Sequence, residues 1–114
     1  MYVVGIDIAK KTHVGGITDD KGLHIGKSFK IDNSVEGFES LLKKLVEVNP
    51  DISQFVFGME ATGHYWLNLY TWLCDRNFTV HVINPIQSDA LRKLEIRQTK
   101  TDTIDAYLIA DCIR

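Results

Sequence analysis

Apolar positions along the chain alternate between period-two stretches and stretches of helical spacing. Residues 2–9, 12–18 and 23–31 read as three strands, and DDKG at 19–22 supplies a turn with a glycine suited to positive φ. An antiparallel meander is the expectation. Asn33 followed three residues later by Glu36 resembles a capping box, and Phe38, Leu41, Leu42, Leu45 and Val48 then recur at helical spacing until Asn49-Pro50 ends the helix. QFVFGME, residues 54–60, is a strand with two apolar faces; ATG breaks it, and an aromatic-rich helix is predicted from Tyr65 to about Asp75. Phe78 to Ile83 repeat the strand pattern. Asn84-Pro85-Ile86-Gln87 combines an N-cap with a proline at the first helical position, so a short helix should run to about Leu94. A linker, EIRQTK, precedes a last helix from about Thr101, in which Ile104, Leu108 and Cys112 recur every four residues.

Three antiparallel strands followed by two strand–helix units call for an α/β sandwich with a mixed five-stranded sheet, because strands joined through helices cross over and run parallel. Ribonuclease H-like folds have this order. No C-cap glycine or proline follows Ile113, which leads to the expectation of one domain, 1–114, cut from a longer protein.

The content of 45% apolar residues in 114 suffices for one core. No apolar run is long enough for a membrane span, and the N-terminus has no signal-peptide pattern, so a cytoplasmic protein is expected. Cys74 and Cys112 lack metal-site spacing and fall in apolar helical patterns, where thiols act as small hydrophobes. The formal charge of −2 argues against a simple basic nucleic-acid binder. Locally the balance differs: Arg92, Lys93, Arg97 and Lys100 face Glu95 alone within residues 91–100, a linker able to follow a phosphate backbone or simply to be solvated.

The candidate chemistry lies in carboxylates placed where apolar residues belong. Val3, Gly5 and Asp7 share one face of the first strand, and Val56, Gly58 and Glu60 share one face of the fourth. If these strands are parallel neighbours, Asp7 and Glu60 stand together at their C-terminal ends, where open α/β sheets place their sites. KTDTIDA, residues 100–106, sets Asp102 and Asp105 about 60° apart on the first turn of a helix. One close carboxylate pair costs about 4 kcal/mol at an effective dielectric of 20, so such a cluster calls for raised pKa values or divalent cations. Mg²⁺, with Mn²⁺ as a substitute, suits oxygen ligands and in-line phosphodiester chemistry. Taken singly, each residue has a plainer role, a hydrogen-bonded strand Asp, a strand-ending Glu or an N-cap; the doubled glycine–carboxylate pattern favours the metal site.

GIDIAKKTH, GMEATGHYW, INP and KTDTIDA together resemble the N-terminal domain of the DEDD-type insertion-sequence transposases, the family that includes the Piv DNA invertases. The resemblance implies a RuvC-like fold and a catalytic site in which Asp7, Glu60, Asp102 and Asp105 bind Mg²⁺. It also implies action on DNA, a structured guide RNA, homo-oligomerisation of the full-length protein, and a serine nucleophile from a further C-terminal domain. Lys10, with Lys11 and His13, follows Asp7 and could touch a phosphate; the turn Thr62-Gly63-His64 offers helix-start amides, and His64 is a weaker candidate base. Tyr65, Trp66, Leu69, Tyr70, Trp72 and Leu73 read as core or domain interface rather than a base-stacking platform. Other readings remain open: a RuvC-like nuclease, a silent nucleic-acid or subunit-docking module, and a sugar-kinase or actin-like ATPase, the last disfavoured because Ala9-Lys10-Lys11 stands where a glycine-rich phosphate loop belongs.

Overall fold

The computed structural model describes residues 1–61, 63–83 and 110. Strands β1 (Tyr2–Asp7), β2 (Thr12–Asp19), β3 (Phe29–Asp32), β4 (Phe55–Glu60) and β5 (Thr79–Ile83) form one sheet in the order β3-β2-β1-β4-β5. The first three are antiparallel neighbours, while β4 runs parallel to β1 and β5 parallel to β4. Helix α1 (Val35–Val48) carries the chain from β3 across to β4, and α2 (Leu67–Asp75) from β4 to β5. The expected mixed sheet is therefore present, and its ribonuclease H-like order follows from two crossovers that each need a helix.

Strand parity gives the sheet two different faces. Val4 and Ile6 of β1, Ile17 of β2, Ile31 of β3 and Phe55, Phe57 and Met59 of β4 join Phe38, Leu41 and Leu45 of α1 and Leu69, Trp72 and Leu73 of α2 in one core. Side chains such as Ile6 and Phe57 are fully buried, each contributing roughly 1.5–3 kcal/mol of transfer free energy. Both helices thus cover the same face. The opposite face carries Val3, Gly5 and Asp7 beside Val56, Gly58 and Glu60.

Several boundaries differ from expectation for local reasons. Residues 23–31 do not form one strand: His24 makes an isolated bridge to Thr18, Gly26 turns the chain away at φ 67, and ladder pairing resumes at Phe29. The preceding turn is as expected, with Gly22 at φ 86 and Asp19 Oδ1 accepting from the Lys21 and Leu23 amides at 2.9 Å each. Helix α1 is capped by Ser34, whose Oγ accepts from the Gly37 amide at 3.1 Å, and not by Asn33, whose side chain is used elsewhere. Gly37 is required because a Cβ there would run into the Asp32 carbonyl oxygen. Helix α2 begins at Leu67 instead of Tyr65, since residues 63–66 form a turn in which Trp66 Nε1 donates to the Gly63 carbonyl. The chain leaves α2 through Asn77, left-handed at φ 65, with the Phe78 amide donating back to the Leu73 carbonyl at 3.1 Å. Cys74 is exposed, not a core hydrophobe as its helical pattern suggested. The helices expected near 85–94 and from 101 lie outside the described residues, apart from Ala110, which is helical and fully buried.

Candidate functional site

Parallel pairing of β1 and β4 runs Val3 with Val56, Gly5 with Gly58 and Ile6 with Met59, so Asp7 and Glu60 are the next residues on adjacent strands in matched register. Both are half-buried, on the face that α1 and α2 leave uncovered. The expected juxtaposition of these two carboxylates is therefore what the sheet provides. It arises because the V-x-G-x-acid pattern repeats in register and parallel strands keep a constant offset.

Asp102 and Asp105, the remaining acidic residues of the predicted set, lie outside the described residues, as do Arg92, Lys93, Arg97, Lys100, Thr62 and Cys112. Among the described residues no group of three or more His, Cys, Asp or Glu side chains gathers as metal ligands. The described half of the set consists of hard carboxylate oxygens, the donor chemistry that Mg²⁺ and Mn²⁺ prefer, and like charges at adjacent strand ends are stabilised by a cation.

Lys10 and Lys11 are exposed on the loop that leaves β1. His13 is different. It is fully buried on the core face, paired across the sheet with Ile31, and so cannot reach a phosphate beside Asp7. Its Nδ1 accepts from the Ala9 amide at 3.0 Å. Burial holds its pKa below the ordinary histidine value, partly opposed by the Asn33 side chain beside it. His64 is exposed and packs against Tyr65, ring centroids 4.5 Å apart, on the turn that follows Glu60. The α2 N-terminus offers less than expected to an anion, because the Leu67 amide already donates to the His64 carbonyl at 3.2 Å. Of the aromatic-rich segment, Leu69, Trp72 and Leu73 are buried, whereas Tyr65, Trp66 and Tyr70 are half-buried at the helix flank. His24 and His81 are exposed.

One residue escaped the reading of the sequence. Asn33 sits at the β3–α1 junction, where its amide donates to the Lys11 carbonyl at 2.8 Å and its Nδ2 to the Lys10 carbonyl at 3.2 Å. A longer contact of 3.5 Å runs from Nδ2 to the Tyr65 carbonyl. The only local signal is an Asn before a helix, which reads equally as a cap.

Known proteins share this sequence pattern and this fold. A family model described as a transposase, of the DEDD type named for IS110, matches residues 4–114. The pilin gene-inverting proteins of Moraxella lacunata and Moraxella bovis are each 31% identical over 107 residues, which is 94% of this chain but 32% of theirs. The chain thus spans about a third of the length of these curated relatives. Among solved structures, Thermus thermophilus RuvC in complex with a Holliday junction substrate superposes with a TM-score of 0.66 at 15% identity, covering 98% of this chain and 91% of that one. The fowlpox virus Holliday junction resolvase gives 0.54 at 18% identity, covering 97% and 94%. These likenesses establish a RuvC-like form of the ribonuclease H fold. With its sheet order, its paired strand-end carboxylates and a family match over nearly all of its length, this chain belongs to the DEDD transposases of the IS110 type.

Proposed function

We propose that the chain is the RuvC-like catalytic domain of a DNA transposase and site-specific recombinase, acting on phosphodiester bonds during movement of an insertion sequence. The observation that carries this reading is the register that brings Asp7 and Glu60 together at the C-terminal ends of adjacent parallel strands. Asp7, Glu60, Asp102 and Asp105 would hold divalent cations, Mg²⁺ in the cell. Such ions, when bound, supply Lewis-acid activation of the attacking oxygen and charge stabilisation of the leaving one. The chain's own contribution is to fix two of the carboxylates on rigid strand ends, and to present Lys10 at the rim for a DNA phosphate. The basic residues Arg92, Lys93, Arg97 and Lys100 would guide the nucleic-acid backbone toward Asp102 and Asp105.

The length of the curated relatives supports a longer transposase, in which a further domain supplies the serine nucleophile. A structured guide RNA, a homo-oligomeric full-length protein and a cytoplasmic location complete this reading. No helix among the described residues is long and apolar enough to cross a membrane. No threonine or serine of this chain has a histidine or lysine placed by a recognisable sequence motif to activate it, so the 114-residue piece by itself should not exchange strands.

The test uses full-length transposase and its Glu60→Gln variant, each supplied with Mg²⁺ and insertion-sequence DNA, with excised and joined products read on gels. The parent should recombine and the variant should not. Equal product from both would overturn the proposal. Incubating the 114-residue chain with four-way junction DNA in Mn²⁺ addresses the alternative: robust nicking that Glu60→Gln abolishes would make the domain a self-sufficient nuclease.

A further inference from the structure

The segments that follow the two carboxylates, residues 8–11 after Asp7 and 61–66 after Glu60, leave different strands of the sheet, and Asn33 touches both. Its amide and Nδ2 hold the carbonyls of Lys11 and Lys10, and the same Nδ2 lies 3.5 Å from the Tyr65 carbonyl. Behind it stands His13, whose Nδ1 holds the Ala9 amide two residues beyond Asp7. That bond requires Nδ1 to be unprotonated, which leaves the neutral imidazole with its proton on Nε2. Nε2 and Asn33 Oδ1 are both buried without a hydrogen bond of good geometry, yet the Asn33 side chain lies close enough to raise the His13 pKa against the effect of burial. His13 and Asn33 are thus neighbours, and each carries a buried polar atom, Nε2 and Oδ1, with no hydrogen-bond partner of its own. Amide, imidazole and carboxamide together fix three successive residues of the loop that leaves β1.

We propose that Asn33, backed by neutral His13, is a positioning residue for the metal site: it ties the chain leaving Asp7 to the chain leaving Glu60 and so sets the spacing of the two carboxylates. The proposal rests on the reading of Asp7 and Glu60 as metal ligands. Neither Asn33 nor His13 belongs to the proposed set of metal ligands. His13 stands on the core face and Asp7 on the other, so the coupling passes through backbone. Residues that orient ligands in this way change metal affinity about 10–100-fold when removed, because a binding site that must be organised at the moment of binding holds its ion less well.

Mn²⁺ affinity of the 114-residue chain, measured by the electron paramagnetic resonance of free Mn²⁺, tests this, with melting in EDTA recorded for each variant. Asn33→Ala should weaken Mn²⁺ binding by about tenfold or more. Asn33→Asp, which keeps the size of the side chain and removes the Nδ2 donor, should weaken it likewise and serves if the alanine variant fails to fold. His13→Gln, which keeps a donor near Nε2 but removes the acceptor for Ala9, should speed amide exchange at Ala9 without metal present. His13→Asn, which restores an acceptor near Nδ1, should recover that protection. Leu45→Ala, at the far end of α1, controls for reduced stability: it should lower the melting temperature and leave Mn²⁺ affinity unchanged. If the parent binds Mn²⁺ and both Asn33 variants bind it equally well, the positioning role is wrong although the metal site stands. A parent chain that binds no Mn²⁺ removes the metal site itself, and the positioning role with it.

Discussion

Replacing Glu60 by Gln should change stability with opposite signs in the absence and presence of metal. Neighbouring strands lie about 4.8 Å apart, and side chains in matched register at their ends keep a similar spacing. Two carboxylate charges about 4.8 Å apart repel by about 3.5 kcal/mol at an effective dielectric of 20. Both groups are half-buried, so screening by water brings the relief expected on neutralising one of them to roughly 1–3 kcal/mol. For a domain of 114 residues the unfolding entropy makes 1 kcal/mol equivalent to about 4 °C in melting temperature. Glu60→Gln should therefore melt about 4–12 °C above the parent in EDTA. Mn²⁺ at 100 times its dissociation constant stabilises the parent by about 2.7 kcal/mol, or about 11 °C, and should stabilise the variant far less. The assay is thermal unfolding followed by circular dichroism in EDTA and across an Mn²⁺ series. A variant that melts below the parent in EDTA, or that gains as much from Mn²⁺, would refute the reasoning and make Glu60 a structural strand end.

Other expectations follow from particular residues. Gly37→Ala should lower stability by roughly 1–3 kcal/mol, because the new Cβ meets the Asp32 backbone rather than a movable side chain; chemical denaturation with an unchanged m-value checks it. Asn77→Ala should destabilise by about 1 kcal/mol in the same assay, since alanine lacks the tolerance that Asn has for left-handed backbone at φ 65, and Asn77→Gly should not. His13 has a folded-state pKa lowered by burial, so the unfolded chain takes up a proton first as pH falls: its contribution is intact above the unfolded value near 6.5 and is lost as pH falls through the lowered folded value, at up to about 1.4 kcal/mol per pH unit. Urea melts across that window should slope for the parent and flatten in His13→Asn. Neutralising Arg92, Lys93, Arg97 and Lys100 in the full-length protein should reduce the salt dependence of DNA binding by up to about 0.9 in log–log slope for each phosphate no longer neutralised; an unchanged slope would mark the segment as merely solvated.

The sequence by itself determined the order of strands and helices, and through it the crossovers that make β4 and β5 parallel to β1. These are consequences of local periodicity, since each element needs only its own apolar pattern to declare its type. The pairing of Asp7 with Glu60 was legible for a less common reason: V-x-G-x-acid occurs twice, so two distant segments carry the same register mark. Tertiary structure alone decided which face His13 takes. The inner residues of β2, from His13 to Thr18, are all buried, and a strand buried on both faces has no polar alternation to say which side chain looks toward the helices. It also decided the role of Asn33, because a carboxamide before a helix can cap that helix or leave the task to the next residue. Ser34 takes the cap here, and Asn33 is left to join loops more than 20 residues away on either side, a choice that depends on where the folded sheet brings the Lys10 and Tyr65 carbonyls.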